Sequence, residues 1–422
     1  MMNFKLRDYQ IECLKRIKNY LNEDLEKRII LVYMSMGAGK SWVIAETIKQ
    51  NALNKNVLVV QPTIELKDQN KEKFLLAVKD LNIPTDKIMF ETTAKIHSDI
   101  KRGLIDSSSF DLIIFDEIHK FEPNNISYMN IYKTFIDKPK LGFTGSPYRY
   151  INKSEFCWKT KSVKVKNTLV MLSKEYPQYF TDPIFNVNHN YLVNQGYLIN
   201  PKYIHYYQPE LNPELRHFFI KNADNYIPDN IDFNSLEEYG RAYSKNCMIS
   251  LLNALYEYSK IKKKIIVYCN TTYQIKLFEK MYPEFKITQL TDKTTKKERD
   301  KIIKNFREAE KSILFNCKVL TTGFDIPELD CIIVATNLTS LTLYVQIVGR
   351  LIRCNNGNEN KKPVFVDLFG SFKRFGKLSE INMKRDYYLY VNNTRADLLF
   401  SDKDGYELKL KSSKLSNNKN FL

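Results

Sequence analysis

The chain has 422 residues, of which 43% are hydrophobic, and its 65 lysines and arginines outnumber 48 acidic residues to give a net charge of +17. This length exceeds what one hydrophobic core usually serves, so two or three domains are expected. The positive charge favours a polyanionic partner, and nucleic acid leads, because no stretch of sequence reaches the roughly eighteen consecutive apolar residues of a membrane span.

Cysteine usage and the first residues bear on the cellular compartment. No two of the seven cysteines form a CxxC pair and several lie within apolar runs, which predicts buried free thiols and argues against a zinc site. The opening sequence, MMNFKLRDYQIECLK, lacks the apolar core of a signal peptide. We therefore expect a cytoplasmic protein in a reducing compartment.

Short apolar runs alternate with helical patterns from residue 28 to about 145. Four of these runs are IILVY, NVLVVQP, FDLIIFDE and KPKLGFTGSP. Strands of aliphatic and β-branched residues that are separated by helices predict a parallel sheet covered on both faces. The alternation returns after residue 263 in KKIIVYC, FKITQL, KSILFN, LDCIIVA and KPVFVDL. The chain is therefore expected to hold two tandem α/β units, each with a doubly wound parallel sheet.

The segments between and after the two units are less regular. The middle segment is rich in aromatic residues, asparagine and proline, and RAYSKNCMISLLNALYEYSK within it has a helical apolar stripe. Near the C-terminus ADLLF and YELKL are expected to pair as a hairpin, and the final KSSKLSNNKNFL is expected to be disordered. The predicted organisation is an α/β domain at 1–150, a connector with helices at 151–260, a second α/β domain at 261–370 and a C-terminal extension at 371–422.

A phosphate-binding turn is indicated where the first strand ends, in MSMGAGKS. Gly37 and Gly39 would let backbone N–H groups approach a phosphate closely at the start of a helix. Lys40 would offer its charge to the β- and γ-phosphates, and Ser41 its hydroxyl to Mg²⁺. Met34 stands where the strict motif has its first glycine, so on this motif alone a glycine-rich turn with a chance lysine remains an alternative.

A pair of acids follows the run FDLIIF. Asp116 and Glu117 lie at the carboxyl end of a predicted strand, where open α/β sheets bind their ligands. Asp116 would hold the coordination shell of Mg²⁺, and Glu117 would orient and deprotonate an attacking water. The alternative is a pair of solvated acids at a strand end, which is less favoured when a phosphate-binding turn precedes the pair in the same sheet.

Seven short motifs occur in a fixed order along about residues 1–370. They are LRDYQ (6–10), GAGKS (37–41), QPTIEL (61–66), DEIH (116–119), TGSP (144–147), TTGFDIP (321–327) and QIVGRLIR (346–353). This series resembles that of superfamily 2 helicases of the DExH kind. Within them it is most similar to the group of phage branch-migration helicases, XPB-type helicases and restriction-enzyme motor subunits. The resemblance implies two tandem RecA-like domains that use ATP and Mg²⁺.

The resemblance also implies roles in nucleotide binding and hydrolysis. It places ATP against Arg7, Gln10, Gly37, Ala38, Gly39, Lys40, Ser41 and Asp325, with Mg²⁺ held by Ser41 and Asp116. Arg7 and Gln10 would read the adenine, although solvated polar residues on a first helix remain the alternative. Gln346 would sense the γ-phosphate. Arg350 and Arg353, expected on one face of a helix, would act as arginine fingers.

Nucleic-acid contacts are implied in the same way. One strand of nucleic acid, with DNA as the first expectation, would be held through its phosphates by Thr63, Thr321, Thr322 and Gly323. His119, Thr144 and Ser146 would link the hydrolysis site to that strand. The expected function is therefore an ATP-dependent helicase or translocase on duplex or branched DNA. An RNA helicase, and a phosphate-loop ATPase or kinase that acts on a small molecule, remain alternatives.

Overall fold

A computed structural model describes most of the chain and places two parallel six-stranded sheets in succession. The described residues are 5–22, 27–51, 54–79, 85–157, 162–205, 248, 250–317, 319, 326–338, 340–354, 361–401 and 406–409. Each sheet is flanked by helices, so the prediction of two doubly wound α/β units is confirmed. Within the described part of the chain, no helix has both the length and the apolar character needed to cross a membrane.

The first sheet has the strand order β3-β2-β4-β5-β1-β8, and its neighbouring strands are parallel. Its strands are β1 (Ile29–Met34), β2 (Val57–Gln61), β3 (Ile88–Thr92), β4 (Leu112–Asp116), β5 (Lys140–Thr144) and β8 (Phe185–Val187). Every residue of β1, β2, β4 and β5 is buried, because helices cover both faces. The carboxyl ends of these strands therefore meet at one edge.

Five helices accompany this sheet, and three of them begin at a side-chain cap. They are α1 (Asp8–Asn22), α2 (Lys40–Asn51), α3 (Ile64–Val78), α4 (Thr93–Lys101) and α5 (Ile126–Thr134). Thr63, Thr92 and Asn125 each accept a hydrogen bond from a backbone N–H of the first turn of α3, α4 and α5, respectively. Such caps satisfy N–H groups that a helix start leaves without partners, so they fix where these three helices begin.

Described helices lie in the segment 151–260, and the segment also contributes strands that the irregular sequence did not predict. Its helices are α6 (Leu172–Glu175), α7 (His189–Asn194) and α8 (250–261). β6 (Tyr148–Cys157) and β7 (Ser162–Met171) form an antiparallel hairpin. β8 and β9 (Lys202–His205) are outermost strands of the first and second sheets. The connector is therefore part of both sheets.

The second sheet has the strand order β11-β12-β10-β13-β14-β9, again with parallel neighbours. Its other strands are β10 (Lys264–Cys269), β11 (Ile287–Leu290), β12 (Ser312–Cys317), β13 (Cys331–Ala335) and β14 (Val364–Asp367). The helices in this region are α9 (Thr272–Met281), α10 (Lys296–Glu308) and α11 (Leu341–Leu351). Four free cysteines are buried, namely Cys13, Cys269, Cys317 and Cys331, and the free thiol of Cys354 is half-buried.

The C-terminal extension contacts both lobes, and the hairpin expected there is wrong. Its elements are α12 (Ser371–Phe375), β15 (Ile381–Met383), β16 (Leu389–Val391), β17 (Thr394–Arg395), α13 (Ala396–Phe400) and β18 (Tyr406–Lys409). ADLLF forms α13, and β18 pairs instead with β7, with Tyr406 opposite Val165. ADLLF is too short for its residue pattern to distinguish a helix from a strand. The pairing of β18 is decided by β7, which is distant in the sequence. Residues 410–422, expected to be disordered, lie outside the described residues.

The two lobes touch where α11 meets the turn between β1 and α2. A Cβ atom added to Gly349 would lie 2.6 Å from the Cβ of Met36, far inside van der Waals contact. Buried residues of both lobes, including Met34 and Val348, also belong to one continuous apolar cluster. The position at Gly349 therefore needs a residue without a side chain if α11 is to pack against the turn.

Gly349→Ala tests this close approach. Alanine favours a helix over glycine by about 1 kcal/mol, so α11 itself is expected to stay folded. The added methyl group would push α11 away from Met36, and a misplacement of about 1 Å can reduce catalysis roughly 100-fold. We expect the ATP hydrolysis that the sequence resemblance implies to fall by about tenfold or more, with helix content by circular dichroism unchanged. Wild-type hydrolysis in this variant would show that the close packing is dispensable.

Candidate nucleotide-binding site

The turn between β1 and α2 has a backbone that only glycine adopts readily at two positions. Gly37 and Gly39 have φ of +81° and +76°, in the left-handed region. A Cβ atom at Gly39 would lie 2.5 Å from Nε2 of Gln10, and one at Gly37 would lie 2.8 Å from Cδ2 of Leu198. Both glycines are therefore required by conformation, and side chains approach them from two sides.

Helix α1 is fastened to this turn through Ala38. The hydroxyl of Tyr9 and Nε2 of Gln10 both donate to the carbonyl oxygen of Ala38, at 2.8 Å and 3.2 Å. Oε1 of Gln10 accepts from the backbone N–H of Arg7 at 2.9 Å. The Arg7 guanidinium lies 4.3 Å from the ring centre of Tyr197. Arg7 and Gln10 thus lie beside the turn, and both ends of the Gln10 amide are engaged by protein.

Three charged side chains meet at the edge where β1 and β4 end. Nζ of Lys40 lies 3.1 Å from Oδ1 of Asp116 and bonds to Oε1 of Glu117. Asp116 and Glu117 are 1% and 8% exposed, so the two acids are not the solvated pair that was the alternative. Two carboxylates around one ammonium leave one uncompensated negative charge in a buried site.

The charges shift each other's protonation. Burial alone would lower the pKa of Lys40, but the carboxylates of Asp116 and Glu117 outweigh it, and that pKa is raised. Burial alone would raise the pKa of Glu117, but Lys40 and His119 hold it well below its usual range. Lys40 and Glu117 are therefore both ionised at neutral pH.

The backbone at Glu117 is unusual for a residue with a side chain. Its φ and ψ are 50° and 47°, in the left-handed region, and its N–H donates to Oδ1 of Asp116 at 2.9 Å. A left-handed conformation costs a residue other than glycine about 1–3 kcal/mol, so it persists only where the surroundings impose it. The turn places the Glu117 carboxylate beside Lys40.

A polar chain leads from Glu117 to the end of β5. Nδ1 of His119 lies 3.2 Å from Oε2 of Glu117, 3.0 Å from Oγ1 of Thr144 and 3.4 Å from Oγ of Ser146. Burial lowers the pKa of His119, although Glu117 partly opposes this, so the ring is neutral at pH 7. The three residues expected to couple hydrolysis to the strand are thus brought together beside Glu117.

Asn70 is part of the site and was missed from the sequence. It lies on α3, and its Nδ2 donates to Oδ2 of Asp116 at 2.8 Å. The buried residues of α3 are Leu66, Asn70, Phe74 and Val78, at a regular spacing of four. A single polar residue in a stripe that is otherwise apolar was the signal that could have found it, because buried amides need partners.

The second lobe brings α11 and the residues after it to the same turn. Gln346 is half-buried and Arg350 is buried on α11. The expectation that Arg353 shares this helix is wrong, because α11 ends at Leu351 and Arg353 forms a β-bridge with Leu198. Cγ of Arg353 nevertheless lies 3.8 Å from the position of a Cβ on Gly37. Arg353 therefore lies against the glycine turn from the opposite lobe.

The structure says less about the roles of the other residues that the sequence predicted. Ser41 lies in the first turn of α2, and Thr63 is the N-cap of α3, where it accepts from the N–H of Leu66 at 3.3 Å. Four others lie outside the described residues: Thr321, Thr322, Gly323 and Asp325.

Two family models match the chain in the order of its lobes. The model for "Type III restriction enzyme, res subunit" matches residues 3–149, and that for "Helicase conserved C-terminal domain" matches residues 247–355. Together they span more than half of the chain. The chain belongs to superfamily 2 of the helicases. Membership accounts for two similar lobes with a glycine turn in the first.

Curated relatives of this superfamily 2 chain are of similar or greater length. A candidate mitochondrial ATP-dependent helicase, irc3, of Schizosaccharomyces pombe is 26% identical over 97% of this chain and 62% of its own length. The DNA 3'-5' translocase XPB2 of Sulfurisphaera tokodaii is 26% identical over 86% of this chain and 81% of its own length. The chain thus spans less than two thirds of irc3.

Solved structures agree on the fold. The ATP-dependent Type ISP restriction-modification enzyme LlaBIII bound to DNA has a TM-score of 0.58 and 18% identity, over 86% of this chain and 27% of its own length. The likeness supports the fold alone, and with it the prediction of two tandem RecA-like domains is confirmed.

Glu117→Gln tests the charge cluster through stability. The pKa of Glu117 is lowered in the folded protein from its ordinary 4.5, so its charge stabilises the fold above that pH and less as the pH falls toward the folded value. The difference in free energy of unfolding between wild type and variant should stay constant near neutrality and shrink in acid. Urea unfolding from about pH 7 to pH 3 measures it. Glu72→Gln, an exposed change on α3, is the control. A difference independent of pH would contradict the lowered pKa.

Proposed function

We propose that this chain is an ATP-dependent helicase or translocase that acts on duplex or branched DNA. The observation that carries the proposal is the glycine turn, which has Lys40 and the two acids on one side and Arg353 of the other lobe beside Gly37. ATP bound at this turn would be enclosed from both lobes. Nucleotide binding would then hold the lobes together, and hydrolysis would release them.

The contact between Lys40 and Glu117 would let nucleotide binding change the basicity of Glu117. Without nucleotide, Lys40 neutralises Glu117 and lowers its pKa, which makes that carboxylate a weak base. Phosphates at the glycine turn would draw the Lys40 ammonium toward themselves. Glu117 would then lose its counter-ion and gain basicity, so it would take the proton of an attacking water once ATP is in place.

The donor set fits a divalent cation. The cluster of Lys40, Asp116 and Glu117 carries one excess negative charge, and the neighbouring His119 is neutral. Asp116 and the hydroxyl of Ser41 would hold Mg²⁺, since this metal takes one or two protein oxygens beside phosphates. When bound, the metal supplies charge neutralisation on the transferred phosphoryl group. Arg350 and Arg353 would add positive charge from the second lobe, and Gln346 would contact the γ-phosphate.

DNA is favoured as the partner by charge and by relatives. The net charge of +17 suits a polyanion, XPB2 is named as a DNA translocase, and LlaBIII is described as bound to DNA. Thr63 would contact a strand phosphate at the start of α3, together with Thr321, Thr322 and Gly323. Such binding depends on salt and little on sequence. Cycles of grip and release would step the lobes along DNA, to unwind it, migrate a branch or anneal strands.

An RNA helicase remains the alternative within the family, and a kinase or ATPase for a small molecule the alternative outside it. The kinase would leave the second lobe and the positive charge without a role. RNA and DNA are distinguished by which of them stimulates ATP hydrolysis.

Lys40→Ala tests the proposal. Loss of the ammonium leaves two buried carboxylates uncompensated and removes the charge for the phosphates, so ATP hydrolysis should fall about 100-fold or more. DNA binding should stay within about twofold of wild type, because phosphate contacts lie elsewhere. ATPase rates with forked DNA, a Holliday junction, duplex and RNA, and filter binding to the same nucleic acids, measure both.

The outcomes of this test separate the alternatives. Stimulation of the wild type by DNA over RNA supports the proposal, and the reverse supports an RNA helicase. Wild-type ATPase that no nucleic acid stimulates would favour the small-molecule enzyme. Unchanged hydrolysis in Lys40→Ala would contradict the phosphate-binding role of the glycine turn.

A further inference from the structure

Helix α3 faces the ion cluster on one side and the second lobe on another. Its buried stripe of Leu66, Asn70, Phe74 and Val78 packs toward the sheet. Glu65 and Asp68, one turn apart, point away from that stripe. The helix is thus in a position to connect events at the lobe interface with the edge of the sheet where Asp116 lies.

Asn70 fixes Asp116 from the side of α3. Its Nδ2 donates to Oδ2 of Asp116 at 2.8 Å, while Oδ1 of Asp116 accepts from the N–H of Glu117 at 2.9 Å and lies 3.1 Å from Lys40. Both carboxylate oxygens of Asp116 therefore have partners, and the partner of Oδ2 lies on α3. A shift of this helix changes the orientation of Asp116.

The two ends of the Asn70 amide differ in their partners. The residue is 1% exposed, and its Oδ1 is buried with no hydrogen-bond partner among the residues that the structure describes. An apolar residue at this place in the stripe would avoid the unsatisfied acceptor, but it would leave Oδ2 of Asp116 without its donor. The amide therefore serves Asp116 and not the apolar stripe, which points to a role in the site.

The opposite face of α3 is held by the second lobe. Nη1 of Arg299 lies 2.9 Å from Oε1 of Glu65, and Nζ of Lys296 lies 3.2 Å from Oδ2 of Asp68. Both basic residues belong to the first turn of α10, whose start Thr295 caps. Exposed ion pairs contribute little stability, but two pairs between the same two helices make their movements dependent on each other.

We propose that α3 transmits movement of the second lobe to the hydrolysis site. Glu65 and Asp68 are the residues through which α10 moves α3, and Asn70 is the positioning residue for Asp116. The inference rests on the proposed function, since it concerns how DNA accelerates ATP hydrolysis. DNA held by both lobes would change the position of α10 relative to α3. Asn70 would follow with its helix and reorient Asp116.

Two sets of variants test the two ends of this path. Asn70→Leu replaces the amide by an apolar side chain that suits the stripe, and Asn70→Asp keeps the shape but removes the donor. Glu65→Gln with Asp68→Asn removes both ion pairs at the surface. Glu72→Gln, exposed on the same helix, is the control for charge. Phe74→Leu, in the same buried stripe, is the control for lost stability.

The readout is the ratio of the ATPase kcat with saturating duplex DNA to the kcat without DNA, together with KM for ATP and the midpoint of urea unfolding. In the Asn70 variants and in the Glu65/Asp68 double variant, we expect this ratio to fall about fivefold or more, the size of a typical coupling between sites. Both controls should keep the wild-type ratio. Combining all three changes should lower the ratio no further than Asn70→Leu alone, because the changes interrupt one path.

Each other result has a defined meaning. A wild-type ratio in Asn70→Leu and Asn70→Asp, or equal loss of both rates with the ratio kept, would overturn the transmission role. An equal fall in Phe74→Leu would reduce Asn70 to a structural residue and overturn it as well. A wild-type protein that DNA does not stimulate would instead refute the proposed function.

Discussion

Two carboxylates buried beside one ammonium are the constraint on which this site depends. Buried charges are tolerated only when they are paired and hydrogen-bonded, and the Lys40 ammonium contacts both Asp116 and Glu117. The left-handed backbone at Glu117, the amide of Asn70 and the neutral ring of His119 each hold one of these groups. Gly37 and Gly39 allow the left-handed backbone of the turn that precedes Lys40.

Residues of the second lobe lie against the glycine turn of the first lobe. α11 approaches the turn closely enough that Gly349 has no room for a methyl group, and Arg353 extends past the end of the helix to lie beside Gly37. Because Arg353 comes from one lobe and the two acids come from the other, the distance between the lobes would set whether a nucleotide can meet both at once. That dependence is what would convert hydrolysis into movement.

The sequence predicted what local patterns encode and missed what distant segments decide. The strands were recognisable because apolar runs cover both faces of a parallel sheet, and the glycine turn and acids were found because they follow those runs. β8 and β9 have no such pattern, since each is short and joins its sheet only through a distant partner. The bridge of Arg353 to Leu198 and the pairing of β18 with β7 were missed for the same reason. Asn70 was visible only as a polar exception within an apolar stripe.

Single-turnover hydrolysis of ATP by Arg353→Ala, at saturating DNA, tests the central claim that both lobes serve one nucleotide. An arginine supplied by another domain can accelerate phosphoryl transfer by about 10³–10⁵-fold, so the rate should fall by about 10³. The affinity for ATP, measured with a fluorescent analogue, should change by no more than about tenfold, because the first lobe supplies the phosphate-binding turn. A rate equal to that of the wild type would contradict the account.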